Sequence, residues 1–202
     1  MNLVERAKNI LLTPAKEWDV IKGESLTIAD MFTKYAMILA AIPAVAGFIG
    51  YVVIGMSFGG FGTFRMPLGT ALVWAILTYI LSLGGVFLLA FIIDALAPTF
   101  GCAKDMTAAV KIVVFAYTAA WVAGILSIIP ALGILVSLAS LYSLFLMYMG
   151  MQKIKEPAKD KMVGYFVVTI VAAIVVFMLI GFIVSRVAFG GMAGLAGGMG
   201  SF

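Results

Sequence analysis

Residues 112–152 run for forty-one positions without a charged side chain, and three more charge-free runs occupy 35–64, 66–93 and 162–185. The hydrocarbon core of a bilayer is about 30 Å thick and takes ~20 apolar residues to cross as a helix. A water-soluble domain of 202 residues has no interior large enough to bury four such runs. Composition agrees: 64% of residues are hydrophobic and 11% charged, against roughly 45–50% and ~25% in soluble domains. The chain therefore reads as all-α, a polytopic membrane bundle.

The number of crossings follows from the longest run. A single helix of that length would extend ~60 Å, about twice the hydrocarbon thickness. Pro130-Ala-Leu-Gly133 lies inside it, and Pro with Gly so close together marks a tight reversal. Five transmembrane helices result, at about 34–56, 68–93, 112–129, 132–151 and 162–185. Together they make a transmembrane domain over 34–185. It is preceded by a cytosolic amphipathic segment, 1–33, and followed by a flexible Gly/Met-rich outer tail, 186–202. Pro43 falls inside the first crossing, where a kink is expected.

In the first segment Val4, Ala7, Ile10 and Leu11 recur at helical spacing among Glu5, Arg6 and Lys8. Thr13-Pro14 restarts a helix, as N-cap and first helical residue, and Gly23 ends it. The expectation is an amphipathic interfacial helix on the membrane surface, with Trp18 in the headgroup layer. The sharper reading makes it a docking site for a cytosolic protein. No apolar core of signal-peptide length precedes the first crossing, which then serves as its own insertion signal.

With five crossings and the N-terminus inside, eleven of the thirteen Lys and Arg residues fall in inner segments, and only Arg65 and Arg186 outside. All nine acidic residues also fall inside. This bias orients the chain in a cell (inner or plasma) membrane, N-terminus cytoplasmic and C-terminus outside. The net charge of +4 belongs to short loops, so it implies no nucleic-acid partner. The chain has no histidine, which removes histidine-based catalysis, proton relays and metal ligation. Cys102 is the single cysteine, and no cofactor is implied.

From Ile93 onward the sequence resembles the Ypt-interacting-protein (YIP) domain family in its prokaryotic form. The resemblance rests on Asp94-Ala-Leu-Ala-Pro98-Thr-Phe100-Gly101, on Ala109-Val-Lys111-Ile112 leading to Phe115-Ala-Tyr117, and on Ile128-Ile-Pro130-Ala-Leu-Gly133. Leu141-Tyr142-Ser143, Met147-Tyr148-Met149-Gly150 and Pro157-Ala-Lys-Asp160-Lys161 continue it, and Pro14-x-x-x-Trp18-x-x-Ile21 looks like the family's entry segment. It implies a five-helix membrane domain with a cytosolic N-terminus. Eukaryotic relatives are linked to small GTPases and membrane traffic. Two departures stand out. Thr118 replaces a proline common in relatives after the Tyr117 position, which predicts a straighter third helix. The Asp-Leu-Tyr-Gly-Pro signature of eukaryotic members has only a loose counterpart in Asp94–Pro98.

Asp94, at the inner end of the second helix near Pro98, is the acid closest to membrane depth, where ionisable groups tend to be functional. An interfacial pair with Lys104 or Lys111 is the expected structural role. Gly55-x-x-x-Gly59, Ala119-x-x-x-Ala123 and Ala120-x-x-x-Gly124 permit close helix approach, within one chain or in a homo-oligomer. Ser127, Ser137, Ser140, Tyr142, Ser143 and Tyr148 either bond their own helices or line a polar groove. The Lys153–Lys161 loop suits anionic lipid, at ~1 kcal/mol per basic residue. Trp18, Tyr117 and Tyr142 complete the partner-contact candidates. Two functions compete: a non-enzymatic membrane-organising or partner-recruiting protein, and a small transporter, channel or lipid-moving protein using a polar groove. The placement of every charge at or beyond a predicted helix end favours the first.

Overall fold

The computed structural model describes residues 2–57 and 62–198. Five helices are long and apolar enough to cross a membrane: Ile28–Ile54, Leu68–Phe100, Met106–Ile128, Pro130–Lys155 and Lys159–Ala188. They are called the first to fifth spans below. Ahead of them lie two short helices, Leu3–Leu12 and Pro14–Gly23, joined at Thr13 into a hairpin. The fold is an all-α, multi-pass bundle. One two-stranded ladder, Met56–Ser57 against Thr63–Phe64, follows the first span.

The third span is the central element. In its most apolar stretch 67% of residues are buried, against 17–33% in the other four. Val110, Ile112, Val113, Val114, Phe115 and Ala116 are fully enclosed. The outer spans turn large apolar side chains outward, such as Ile80, Phe91, Leu141, Val163 and Met178. In water such a surface would aggregate; here it is the contact with the lipid bilayer.

Small residues let the spans approach. A methyl group at Gly124 would sit 2.5 Å from Pro43 Cβ, so the third span packs directly on the proline of the first. The Ala120-x-x-x-Gly124 face is thus occupied within the chain. The first span remains helical through Pro43, flanked by π-helical turns at Phe32–Ala36 and Gly50–Ile54. A methyl group at Gly85 would meet Phe177 at 3.2 Å, where the second and fifth spans touch. Gly59 lies outside the described residues.

The helix of the first span opens at Ile28, capped by the Thr27 hydroxyl, which accepts from Asp30 N at 3.0 Å. One expectation changes. The third span is not straightened by the absence of a proline. Its α-helix stops at Ala116, resumes at Thr118–Ala123 and tightens into a 3-10 turn over Gly124–Ile128. Side chains stabilise the break from within the span and from its neighbours: Thr118 Oγ1 bonds Phe115 O (2.7 Å) and meets the Tyr35 hydroxyl of the first span (2.8 Å), and Ala120 N donates to the Ser143 hydroxyl of the fourth (3.1 Å). The last helix runs from Lys159 to Gly198. Residues 199–202 lie outside the described residues.

At Ile129 the backbone is extended (φ −108°, ψ 101°), and Pro130–Leu132 form a 3-10 turn. This reversal separates the third and fourth spans.

Candidate functional site at the charged end

Nearly all charged residues collect at one end of the bundle, where two polar networks form. The first joins the ends of three spans. Asp94 Oδ1 accepts from Lys155 Nζ (2.8 Å) and from Asp105 N (2.6 Å). Lys155 Nζ also donates to Ala103 O (3.1 Å) and Asp105 O (3.0 Å). Asp105 caps the third span by accepting from Ala108 N at 3.0 Å. The Lys155 side chain is 2% exposed and that of Asp94 15%, so solvent screens the pair little.

The expected partners of Asp94 are therefore corrected. Lys104 is exposed and makes no ion pair among the described residues, and Lys111 serves a different contact. The reason is local helix geometry. The fourth span ends in a π-helical turn, Met151–Lys155, and Glu156 takes a left-handed conformation (φ 47°) that stops it. The wider turn swings Lys155 off the loop and under the bundle. Pro98 shapes the other side: it sits in the 3-10 turn Ala97–Phe100, which closes at Gly101 (φ 77°). The turn folds the chain back so that Asp105 N faces Asp94. Pro98 itself is exposed.

The second network fastens the N-terminal hairpin. Arg6 is 5% exposed. Its Nη1 donates to Glu17 Oε1 at 2.6 Å, its Nη2 pairs with Glu24, and its guanidinium lies 5.5 Å from the centre of the Phe115 ring. Lys111, 8% exposed, donates from Nζ to Ile21 O (3.1 Å) and Glu24 O (2.5 Å). The hairpin thus has a buried charged interior, which is costly unless every member is paired. Between its helices lies a polar cavity of about 350 Å³, walled by Asn2, Glu5, Arg6, Asn9, Glu17 and Glu24.

The hairpin does not lie free on a surface. Tyr142, near the middle of the fourth span, donates to Leu11 O at 2.8 Å. Lower down, Trp18 is fully buried against Gly150, where an added methyl would sit 2.8 Å from the indole. Lower still, Lys153 meets Asp19 at 2.7 Å and Lys22 pairs with Glu156. These contacts advance together, so Pro14–Gly23 runs alongside the charged half of the fourth span. Trp18 is therefore a core residue and not a headgroup anchor. Glycine at 150 leaves the space that the indole fills.

Tyr117 stands apart, at the break in the third span. Its ring stacks on Phe177 (5.3 Å) beside an open groove of about 360 Å³ that Ser140 and Ser143 also border. The hydroxyls of that region have partners: Ser140 bonds Val136 O, Ser143 accepts from Ala120 N, and Ser137 bonds Gly133 O. Tyr148 accepts from Gln152 Nε2 at 3.0 Å. Ser140 and Ser143 border the Tyr117 groove, whose other walls are mainly apolar, and Tyr148 borders a different pocket. Among the described residues, no three His, Cys, Asp or Glu side chains converge as metal ligands.

Sequence reasoning missed Arg6, Glu17, Glu24 and Lys155. A signal existed for Arg6 and Glu17. Arg6 precedes Ile10 by four residues, and Glu17 precedes Ile21 by four, so these charges sit on the apolar faces of their helices. That placement marks a buried pair. Nothing in the sequence distinguishes Lys155 from its neighbouring lysines.

Residues 8–201 match the Yip1 domain. The chain is 24% identical over 166 residues to the inner membrane protein YohC of Escherichia coli strain K12, covering 81% of this chain and 85% of that protein. The YohC protein of E. coli O6:H1 matches to the same extent. No solved structure matches.

Proposed function

From the chain's membership of the Yip1 domain family, we propose that it is a non-enzymatic membrane-organising protein that recruits partners through its charged face. The reading sets the N-terminus and the segment 1–33 in the cytoplasm and the C-terminus outside. The bias of Lys and Arg to one end supports that orientation, and the inner-membrane name of its E. coli relative supports a cell-membrane location.

The observation that carries the proposal is how the charged groups are used. Arg6, Lys111 and Lys155 hold the hairpin and the span ends rigidly together. This builds a fixed platform whose exposed side still presents Lys8, Lys16 and Val20. A transporter would need an ionisable or polar group free to bind solute at mid-span. Here the mid-span hydroxyls of Ser140, Ser143 and Thr118 are engaged with backbone. The chain also has no histidine with which to run acid–base chemistry near neutral pH.

Two measurements on one preparation test this. Purified protein in liposomes should pass protons and small ions no faster than protein-free liposomes. A photoreactive residue at Lys16 or Val20 in cells should give discrete protein adducts that vanish in Trp18→Ala, where the platform is loosened. The same residue at lipid-facing Val171 should give none. Protein-dependent flux, or adducts indifferent to Trp18→Ala, would reject the proposal.

A further inference from the structure

The loop between the fourth and fifth spans carries Lys153, Lys155, Lys159 and Lys161, which look equivalent in the sequence. In the structure they are not. Lys153 is paired with Asp19, and Lys155 is buried on Asp94. Lys161 packs toward Gly101, its Nζ 3.8 Å from where a Cβ would stand there. Lys159 makes no ion pair among the described residues and borders a pocket of about 450 Å³. The other walls are Tyr148, Gln152, Glu156, Pro157 and Met162.

We propose that this pocket binds the headgroup phosphate of an anionic phospholipid. Three donors face it: the Lys159 ammonium, the Gln152 amide and the Tyr148 hydroxyl, with Gln152 and Tyr148 already aligned by their 3.0 Å hydrogen bond. A phosphodiester offers acceptors only, which matches this donor set. The lining also selects against zwitterionic headgroups. Glu156 is the single carboxylate on the wall and is already paired with Lys22, so it is less available to a choline or ethanolamine cation.

The flank beside the pocket is apolar, as a lipid requires. Met162 is an almost fully buried wall residue, Val163 next to it is 62% exposed, and Phe145 on the fourth span is half-exposed. Phe166 packs edge-on against Tyr148 at 5.0 Å. Acyl chains leaving the headgroup would lie along this apolar flank. The left-handed Glu156 and the proline after it fix the loop, so the donors are held in place before a lipid arrives. One wall residue, Glu156, pairs with Lys22 of the hairpin, while the three donors belong to the fourth and fifth spans.

The test is native mass spectrometry of the full-length protein in neutral detergent, titrated with phosphatidylglycerol or phosphatidylcholine. Wild type should retain one phosphatidylglycerol in preference to phosphatidylcholine. Lys159→Gln should weaken that retention about fivefold, equivalent to ~1 kcal/mol. Gln152→Leu, which leaves the charge unchanged, should weaken it as well. Lys104→Gln, an exposed lysine outside the pocket, should leave it unchanged, and thermal melting without lipid confirms that the variants fold. Equal losses in Lys104→Gln and Lys159→Gln would overturn the proposal in favour of diffuse surface attraction. Displacement of the lipid by excess inorganic phosphate would overturn the phospholipid assignment, and equal retention of the two lipids would overturn the anionic selectivity.

Discussion

Asp94→Asn separates a buried ion pair from an ordinary interfacial one. An exposed pair contributes about 0–1 kcal/mol. Lys155, however, is 2% exposed at its side chain and Asp94 15%, and removing one member of a buried pair costs ~3–5 kcal/mol because the other charge is stranded. Asparagine keeps an oxygen for Asp105 N, and Lys155 keeps two carbonyl acceptors, Ala103 O and Asp105 O. That puts the expected loss at the lower end, about 3 kcal/mol. The assay is equilibrium unfolding in mixed micelles with increasing SDS. It should be run as a double-mutant cycle with Lys155→Met, which preserves length and apolar contact. The double variant should be more stable than the two single losses sum to, with a coupling of about 2 kcal/mol. A loss under about 1 kcal/mol for Asp94→Asn, or an additive cycle, would refute the buried pair. Coupling of Asp94 to Lys104 instead would show that the fourth span ends differently.

Gly150→Ala should cost ~1–3 kcal/mol and red-shift tryptophan emission, since its methyl falls 2.8 Å from the Trp18 ring; unchanged emission would contradict the hairpin docking. Ser143→Ala should lose about 1–3 kcal/mol in the same SDS titration, because Ala120 N loses its acceptor at the break in the third span. Burial raises the Cys102 thiol above its ordinary pKa, opposed in part by Lys155 and Lys161. Maleimide labelling in the folded protein should therefore be slow at neutral pH and accelerate as pH rises. The folded state also holds this proton longer than the unfolded state does, so stability should fall once pH passes the ordinary thiol range; fast labelling at neutral pH would contradict this.

The five crossings were legible because lipid tolerates so few charges: the charge-free runs and Pro130–Gly133 mark five apolar segments, and the helices extend past several of them into charged residues. Trp18 was misread because its amphipathic setting fits a headgroup anchor as well as a docked face. The space it fills is created by Gly150, 132 positions away, and no local pattern links the two. Arg6 and Glu17 were readable in principle, each a charge on an apolar helix face, yet polar residues near a terminus are ordinarily solvated. Lys155 was not readable, since its inward turn depends on the π-helical turn at Met151–Lys155. The break at Tyr117 was hidden for a similar reason. The acceptor that stabilises it, Ser143, lies on another span.

The sidedness of the charged end tests the central claim most directly. On a Cys102→Ser background, single cysteines at Ser57 and Ala158 can be probed in intact cells with a membrane-impermeant maleimide. The account predicts labelling at position 57 in intact cells, and at position 158 only after permeabilisation. Labelling at 158 in intact cells would put the hairpin, the Asp94–Lys155 pair and the platform on the outside, and would contradict both the orientation and the recruitment of cytoplasmic partners.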